Sequence, residues 1–304
     1  SSRSHQPKQA HRRVDSAEKL VGGWLRHSLS PSSGIPTAIA ATVTRATILP
    51  KLMYGTEIYP LPAKAKVIWN NAARMVLGAY ARDPTKDAFP FLGWPTLEHA
   101  LKQRIARFLR RLARSPSPLI RNSARAVITD ALNKGDCSEW HWWKYIKGHL
   151  KTQGIQHVVD HWDQRRAPMP SLDCDPPKAH PALRTFANSA RFLWRFRAKS
   201  FNPAAEEKKV TGPNGDPYGG ILCPACRLHP DNGEELIKHC PDSSIRATIE
   251  RANAALKSSP GAKSLASALR SQDPRTNWLV VTDALATLWK VRTRAWRAHR
   301  HAVV

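Results

Sequence analysis

Residues 97–114 read LEHALKQRIARFLRRLAR and carry the clearest helical pattern in the chain. The apolar residues of this stretch recur at spacings of three and four, and they are Leu97, Leu101, Ile105, Phe108 and Leu112. This spacing places side chains on one face of an α-helix. The stretch therefore predicts an amphipathic helix whose apolar face lies in a core.

A second stripe on the same stretch consists of arginines. Its members recur at helical spacing and are Arg104, Arg107, Arg111 and Arg114. The segment from Trp94 to Arg125 holds eight Lys or Arg and one acid, Glu98. A solvated helix face normally carries acids that form ion pairs with its cations. Because such acids are nearly absent, we expect the stripe to contact phosphate groups, in preference to the alternative of an ordinary solvated face.

Further helical patterns flank this stretch on both sides. Apolar residues recur at helical spacing in Thr37–Tyr54, Pro62–Tyr80 and Thr276–His299. Pro36 suits a helix start, and Pro50 is expected to kink the first of these helices. The patterns predict a mainly α protein.

Composition restricts the classes of protein that the chain can belong to. The 304 residues include 48 Lys and Arg against 23 Asp and Glu, and the formal net charge is +25. A hydrophobic content of 41% is enough for folded cores, in up to two domains. Such a basic chain indicates nucleic acid, RNA or DNA, as its partner. No apolar run reaches the eighteen or so residues of a membrane span, so no membrane partner is expected.

Cysteine usage indicates the compartment and a cofactor. Only five cysteines are present, and three of them cluster as Cys223, Cys226 and Cys240. They do not form a paired disulfide framework, so we expect an intracellular, reducing compartment, nuclear or cytoplasmic. Two cysteines on a tight turn with further donors downstream are typical of a zinc site. The candidates for the fourth ligand are His229, Glu235 and His239, and the spacing does not choose among them. A cysteine cluster without metal is the alternative.

Two more basic segments are candidate nucleic-acid contacts. Phe192, Trp194 and Phe196 alternate with arginines, namely Arg191, Arg195 and Arg197. Interleaved aromatics and arginines can stack bases and hold phosphates, and the alternative is that the aromatics are buried on one side with the arginines outside. The C-terminal helix adds further candidates, Arg292, Arg294 and Arg297.

Several motifs resemble the region downstream of the polymerase domain in non-LTR (LINE-type) retrotransposon reverse transcriptases. Residues 48–59 read ILPKLMYGTEIY and resemble the family stretch P-x-L-x-Y-G-x-E-x-W. The step Leu92-Gly93-Trp94-Pro95 resembles the opening of a thumb-like helix. The segment from Cys223 to Arg246 resembles the family's zinc knuckle, with Glu235 at the position of the usual histidine. The order of the motifs is shared across most of the chain.

The resemblance implies a noncatalytic, zinc-containing, nucleic-acid-binding segment of a reverse transcriptase. The polymerase motif Tyr-x-Asp-Asp is not found, and the first residue is not methionine, so we expect a piece of a longer protein. A co-opted element remnant that acts as a structural or regulatory binder is the alternative function. A hydrolase would need a site at Asp283, His299 or His301, and their spacing does not support one.

The fold expected from the resemblance is a thumb-like helical bundle, a small zinc knuckle and a C-terminal helical segment. The expected divisions are a flexible basic arm over 1–13, a thumb-like domain over 14–133, a helical and proline-rich connector over 134–215, a zinc knuckle over 216–245, and basic C-terminal helices over 246–304. The oligomeric state is not predicted.

Overall fold

The computed structural model describes residues 5–29, 35–57, 60–79, 85, 88–133, 178–185, 190–197, 223–228 and 233–302. Within these ranges the regular structure is helical and contains no strand, which confirms the predicted mainly α class. None of the helices in this part of the chain combines the length and the apolarity needed to cross a bilayer.

The helices are numbered here in chain order. The first seven are α1 His5–Gly22, α2 Trp24–Leu29, α3 Thr37–Met53, α4 Lys64–Leu77, α5 Ala88–Leu92, α6 Leu97–Ala113 and α7 Pro118–Asn133. A 3-10 helix spans Pro181–Thr185. The remaining helices are α8 Ala190–Arg197, α9 Gly233–Lys238, α10 Ser243–Lys257, α11 Leu265–Arg270 and α12 Trp278–Ala302.

The described residues divide into two compact units, each drawn from three stretches of the chain. Unit 1 lies within Ser1–Trp24, Arg45–Asn70 and Trp94–Pro177. Unit 2 lies within Leu25–Thr44, Asn71–Gly93 and Lys178–Val304. Of the predicted connector over 134–215, the structure describes only 178–185 and 190–197.

Helix α1 replaces most of the predicted basic arm. The helix spans His5–Gly22 and so continues through residue 13, where the basic arm was expected to end. Its inner face buries Val14 and Ala17, and Arg13 donates to the Tyr54 carbonyl oxygen over 3.0 Å while its guanidinium lies over the Tyr54 ring. These contacts order a segment whose composition alone predicts disorder.

Helix α6 confirms the predicted amphipathic helix with a shifted apolar face. Thr96 caps its N-terminus, since the threonine side chain accepts a hydrogen bond from the His99 N–H over 3.2 Å. Leu97, Leu101 and Ile105 are buried as expected. Leu109 is also buried, whereas Phe108 and Leu112 are only half-buried.

Two tryptophans anchor the core of unit 1. The rings of Trp69 and Trp94 stack with centroids 4.5 Å apart, and both side chains are almost fully buried. The Trp69 indole N–H donates to the Pro95 carbonyl oxygen over 3.1 Å. This stacked pair holds α4 beside the start of α6, the helix that carries the arginine stripe.

The core of unit 2 forms around α12. Helix α12 packs against α8 and α10, and its residues Val281, Leu285 and Leu288 are fully buried. Phe192 and Trp194 of α8 are buried too, so the aromatic positions of this segment belong to the core. Burial of these two aromatics agrees with the alternative interpretation, but Phe196 is only half-buried, and Arg195 is buried although the arginines were expected outside.

Candidate metal centre and arginine groove

The metal centre begins with a tight turn that carries two cysteines. Cys223 precedes turn residues 224–226, and the Arg227 N–H donates back to the Cys223 carbonyl oxygen over 2.8 Å. Arg227 itself has a positive φ of 57°. The turn brings Cys223, which is fully buried, and the half-buried Cys226 to the same side of the loop.

Helix α9 supplies the carboxylate, and the residue just after it supplies the third thiol. Glu235 lies on the inner face of α9 beside the buried Leu236. The helix ends with the N–H of Cys240 donating to the Glu235 carbonyl oxygen over 3.0 Å, which turns the buried Cys240 side chain toward the same cluster. Glu235 is only 4% exposed, and carboxylates are rarely buried so deeply unless they are paired or coordinate a metal.

Four donor atoms from this cluster lie close enough together to bind one metal ion. The ligand atoms of Cys223, Cys226, Glu235 and Cys240 all lie within 4.8 Å of one another. The Sγ atoms of Cys223 and Cys240 are 3.9 Å apart, and Cys226 Sγ lies 3.5 Å from Glu235 Oε1. Two sulfurs on a tetrahedral zinc lie about 3.8 Å apart, and a sulfur and a carboxylate oxygen about 3.5 Å apart. The donor set therefore fits the predicted ion.

Burial controls the protonation of the thiols. It raises the pKa of Cys223 and of Cys240. The negative charge of Glu235 raises both pKa values further. A metal ion must therefore displace protons to bind, because only the thiolate is a ligand.

The histidine candidates have different outcomes. His239 follows the end of α9, is exposed and does not belong to the four-residue cluster. His229 lies outside the described residues. Among the candidates that the structure describes, Glu235 is the one brought beside the three cysteines.

Two arginines support this cluster from outside. Arg246 of α10 donates to the carbonyl oxygens of Cys240, over 2.5 Å, and Ile237, over 3.3 Å, and so fixes the end of α9. Arg292 of α12 is fully buried, and negative charge on Cys223 and Cys226 raises its pKa and so favours its charged form. Burial lowers the pKa of Arg292 to about 10, which leaves the guanidinium charged at neutral pH.

A groove lined by arginines lies in unit 1. It has a volume of about 990 Å³, and its arginines are Arg45, Arg104, Arg107, Arg110, Arg111 and Arg114. Leu49, Pro50, Met53 and Pro95 supply apolar lining. No Asp or Glu belongs to the described lining. All four arginines of the predicted stripe share this groove.

One carboxylate nevertheless pairs with part of the stripe. Glu57 Oε1 lies 2.9 Å from Arg104 Nη2 and 3.4 Å from Arg111 Nη2. The expectation that the stripe has no acidic partner is therefore wrong for these two residues. Arg107 and Arg114 are exposed, and no acid that the structure describes pairs with them.

The other predicted nucleic-acid contacts separate into buried and exposed residues. Arg195 is buried and donates to the Gly78 carbonyl oxygen, and Arg292 is fully buried, so their prediction as phosphate contacts is wrong. Arg197 donates to the carbonyl oxygens of Leu269 and Ser271, which commits its guanidinium to the fold.

Three candidates keep some access to solvent. Arg294 and Arg297 are exposed on α12. The guanidinium of Arg191 lies 4.9 Å from the centroid of the Phe192 ring, and the residue is half-buried. In unit 2, Arg294 and Arg297 are therefore the predicted contacts with the best access to an external phosphate.

Sequence reasoning missed three participants. Arg45 and Arg110 line the groove, and Glu57 pairs with the stripe. Arg110 follows Arg107 by three residues, a spacing that could have assigned it to the same helix face. The pairing of Glu57 with α6 could be seen only in the folded structure, because the two are far apart in the sequence.

No protein-family model, curated protein or solved structure matches this chain.

Proposed function

We propose that this chain is a nucleic-acid-binding segment whose unit 1 groove holds the phosphate backbone. The observation that carries the proposal is the convergence of six arginines on one groove whose described lining contains no acid. Guanidinium groups bind phosphate oxygens in bidentate geometry, and arginine is favoured wherever such recognition is needed.

The chemistry of the groove suits a nucleic acid better than a small anion. Arg107 of α6 and Arg114, the C-cap residue just after it, are seven residues apart and both are exposed, so they can reach separate phosphates along a strand. The apolar side chains of Leu49, which is half-buried, and Pro50, which is exposed, offer contacts to sugars and bases in the same groove. The formal net charge of +25 adds long-range attraction for any polyanion.

The metal centre is proposed to bind zinc in a structural role. Three thiolates and one carboxylate complete a four-coordinate set, so no position remains open for water or substrate. When bound, zinc would cross-link the Cys223 turn, α9 and Cys240. The residues themselves supply the rest: Arg246 fixes the end of α9, and burial excludes water from Cys223 and Cys240.

The parent is proposed to be a LINE-type reverse transcriptase, with this segment noncatalytic on its own. The support is the motif order described above together with the metal cluster and the groove. The alternative, a co-opted remnant, is supported by the absence of the usual histidine from the zinc knuckle. The carboxylate of Glu235 lies close enough to the three thiols to share a metal ion with them, which supports a retained metal site and weakens that argument.

The groove is tested by the salt dependence of binding to single-stranded and duplex nucleic acid. Replacing Arg107 and Arg114 with glutamine should weaken binding and flatten the slope of log affinity against log salt by about 1.4 to 1.8 units. The matched control replaces Arg251 and Lys257, exposed cations on α10, with glutamine. Equal slopes for the two double variants would reject the groove as the binding site.

A further inference from the structure

An exposed aromatic ring lies at the border of the arginine groove. Tyr54 is 63% exposed, whereas tyrosine is on average partly buried. It directly follows Met53, which lines the groove. Glu57, in the same turn, pairs with Arg104 and Arg111 of that lining. The turn that carries Tyr54 is therefore tied to the groove at both of its ends, and all of these residues belong to unit 1.

Contacts with α1 hold the Tyr54 ring in place. The Arg13 guanidinium lies over this ring, 4.2 Å from its centroid, and Arg13 Nη1 donates to the Tyr54 carbonyl oxygen over 3.0 Å. Helix α1 is itself paired with Lys64, whose Nζ lies 3.1 Å from Asp15 Oδ1 and 2.6 Å from Glu18 Oε2. A ring that is already held loses little conformational entropy when a ligand stacks on it.

Hydrogen bonds within the turn fix its backbone. The Thr56 N–H and hydroxyl both donate to the Met53 carbonyl oxygen, over 3.3 Å and 2.7 Å respectively. Gly55 has a φ of 73°, in the left-handed region that glycine adopts without steric cost. Tyr54 is thus exposed on an ordered turn, where a large aromatic side chain is available for contact with a ligand.

We infer that Tyr54 stacks on an unpaired base of a single-stranded nucleic acid whose phosphates lie in the arginine groove. A cationic groove and an aromatic stacking surface are the two elements with which proteins hold single strands without reading their sequence. Within a duplex each base is already stacked on its neighbours, so the ring finds no base face to contact. The inference rests on the proposed function of the groove, and it adds the type of strand and a residue that contacts bases.

The other role that the contacts allow for Tyr54 is to anchor α1 through Arg13. That role concerns the stability of unit 1, so its loss would affect binding of every ligand of the groove alike. Stacking differs, because it contributes only when the ligand offers an accessible base. Ligands with and without such a base therefore separate the two roles.

The test measures the affinity of the full chain for short single-stranded oligonucleotides by fluorescence anisotropy. Tyr54→Ala should weaken binding by about 5- to 150-fold, the range expected for one base–aromatic stack, and Tyr54→Phe should keep most of the affinity. Val67→Ala is the matched control, because Val67 is 56% exposed on α4 of unit 1 and outside the described lining. It should bind as the unaltered protein does. RNA and DNA strands of the same sequence are compared, and a loss with either one supports the stack.

A strand with abasic sites in place of its nucleotides' bases gives a readout that a loss of stability would not move. Such a strand keeps its phosphates, so Tyr54→Ala should bind it about as well as the unaltered protein does. The slope of log affinity against log salt should also stay unchanged in Tyr54→Ala, since the neutral ring neutralises no phosphate. Tyr54→Leu keeps an apolar side chain without a ring face, and it should lose affinity for the base-bearing strand too. This second variant covers the case in which the alanine variant does not fold.

The outcomes separate the inference from the proposal beneath it. An unaltered protein that binds neither single strands nor duplex would overturn both. Unchanged affinity of Tyr54→Ala and Tyr54→Leu for the base-bearing RNA and DNA strands would overturn only the role of Tyr54. An equal loss of affinity for the abasic strand or for duplex would also reject stacking. In these last two cases the groove is still judged by the salt slope of the Arg107 and Arg114 variant.

Discussion

The Glu57 carboxylate oxygen Oε1 lies 2.9 Å from Arg104 Nη2, although the two residues belong to separate segments of the chain. The Glu57 side chain is 9% exposed and that of Arg104 is 34% exposed. Burial by itself would raise the pKa of Glu57, but hydrogen bonding from Arg104 and the charges of Arg104 and Arg111 hold it below its ordinary value. The carboxylate thus pairs with Arg104 and Arg111, the first and third arginines of the stripe, while Arg107 and Arg114 are exposed.

Glu57→Gln should destabilise the protein by about 1 to 3 kcal/mol, because it removes a charged acceptor from a mostly buried site. Since the folded pKa is lowered, the stability that Glu57 contributes is present above its ordinary pKa of about 4.3 and is lost as the pH falls through the folded value. Urea denaturation at neutral and acidic pH measures both effects.

Glu98→Gln is the control, because Glu98 is 70% exposed and pairs with Lys102 on one helix face. A change of about 0.5 kcal/mol or less is expected there. Equal effects of the two substitutions would show that the Glu57 pair has no special role.

Purified protein should contain about one zinc per chain, as four-ligand structural sites do. Cys223→Ser combined with Cys226→Ser should abolish the metal, and Glu235→Gln should weaken its binding, because the four ligand atoms lie within 4.8 Å of one another. His239→Ala should leave the zinc content unchanged, since His239 is exposed and outside the cluster. Elemental analysis and the cobalt thiolate absorption band measure these outcomes. Metal retained in the double cysteine variant, or lost in His239→Ala, would contradict the assignment.

Stability should also depend on His180. Its ring stacks on Phe91 with centroids 4.9 Å apart and meets the edge of Trp278, while Nδ1 accepts from the Ala182 N–H over 3.1 Å. Burial, with a contribution from the charge of Arg197, lowers the pKa of His180 to about 4. The unfolded chain therefore binds a proton at higher pH than the folded chain does.

The contribution of His180 to the free energy of unfolding should be full above pH about 6.5. It should fall as the pH drops from there toward 4, by at most about 3 kcal/mol. Thermal unfolding across this range measures the slope. His180→Phe keeps an aromatic ring and should remove this part of the pH dependence. An unchanged slope in that variant would assign the effect to another group.

We expect the chain alone to bind nucleic acid without nucleotide incorporation or strand cleavage in magnesium or manganese. Asp242 is the N-cap of α10 and accepts from the Ile245 N–H over 3.0 Å, and Asp283 is exposed on α12. Asp242→Ala should therefore cost about 1 kcal/mol of stability as the loss of a cap. Primer extension or nicking that disappears on Asp242→Asn or Asp283→Asn would contradict the noncatalytic proposal.

The residues that the sequence could place were those whose neighbours in space are also neighbours in the chain. Helix α6 and three of the four cluster residues followed from local spacing. Glu235 stayed one of three candidates, because only the path of α9 decides which side chain faces the cysteines. Arg195 and Arg292 were misassigned because a charged side chain in a helical pattern is normally exposed. The pairing of Glu57 with Arg104 depends on tertiary structure, which periodicity does not report.

Each unit is built from separate stretches of the sequence, and this has a consequence for biosynthesis. Unit 2 uses residues up to Gly93 and then none until Lys178, so its early helices leave the ribosome about 85 residues before their partners. At about 5 to 20 residues per second, that interval lasts on the order of 4 to 17 s. Phe89 and Phe91 are buried in the folded protein. During this interval the C-terminal part of their unit has not been synthesised, so it cannot yet cover them. Chaperone engagement of nascent chains should therefore peak before the cysteine turn is synthesised.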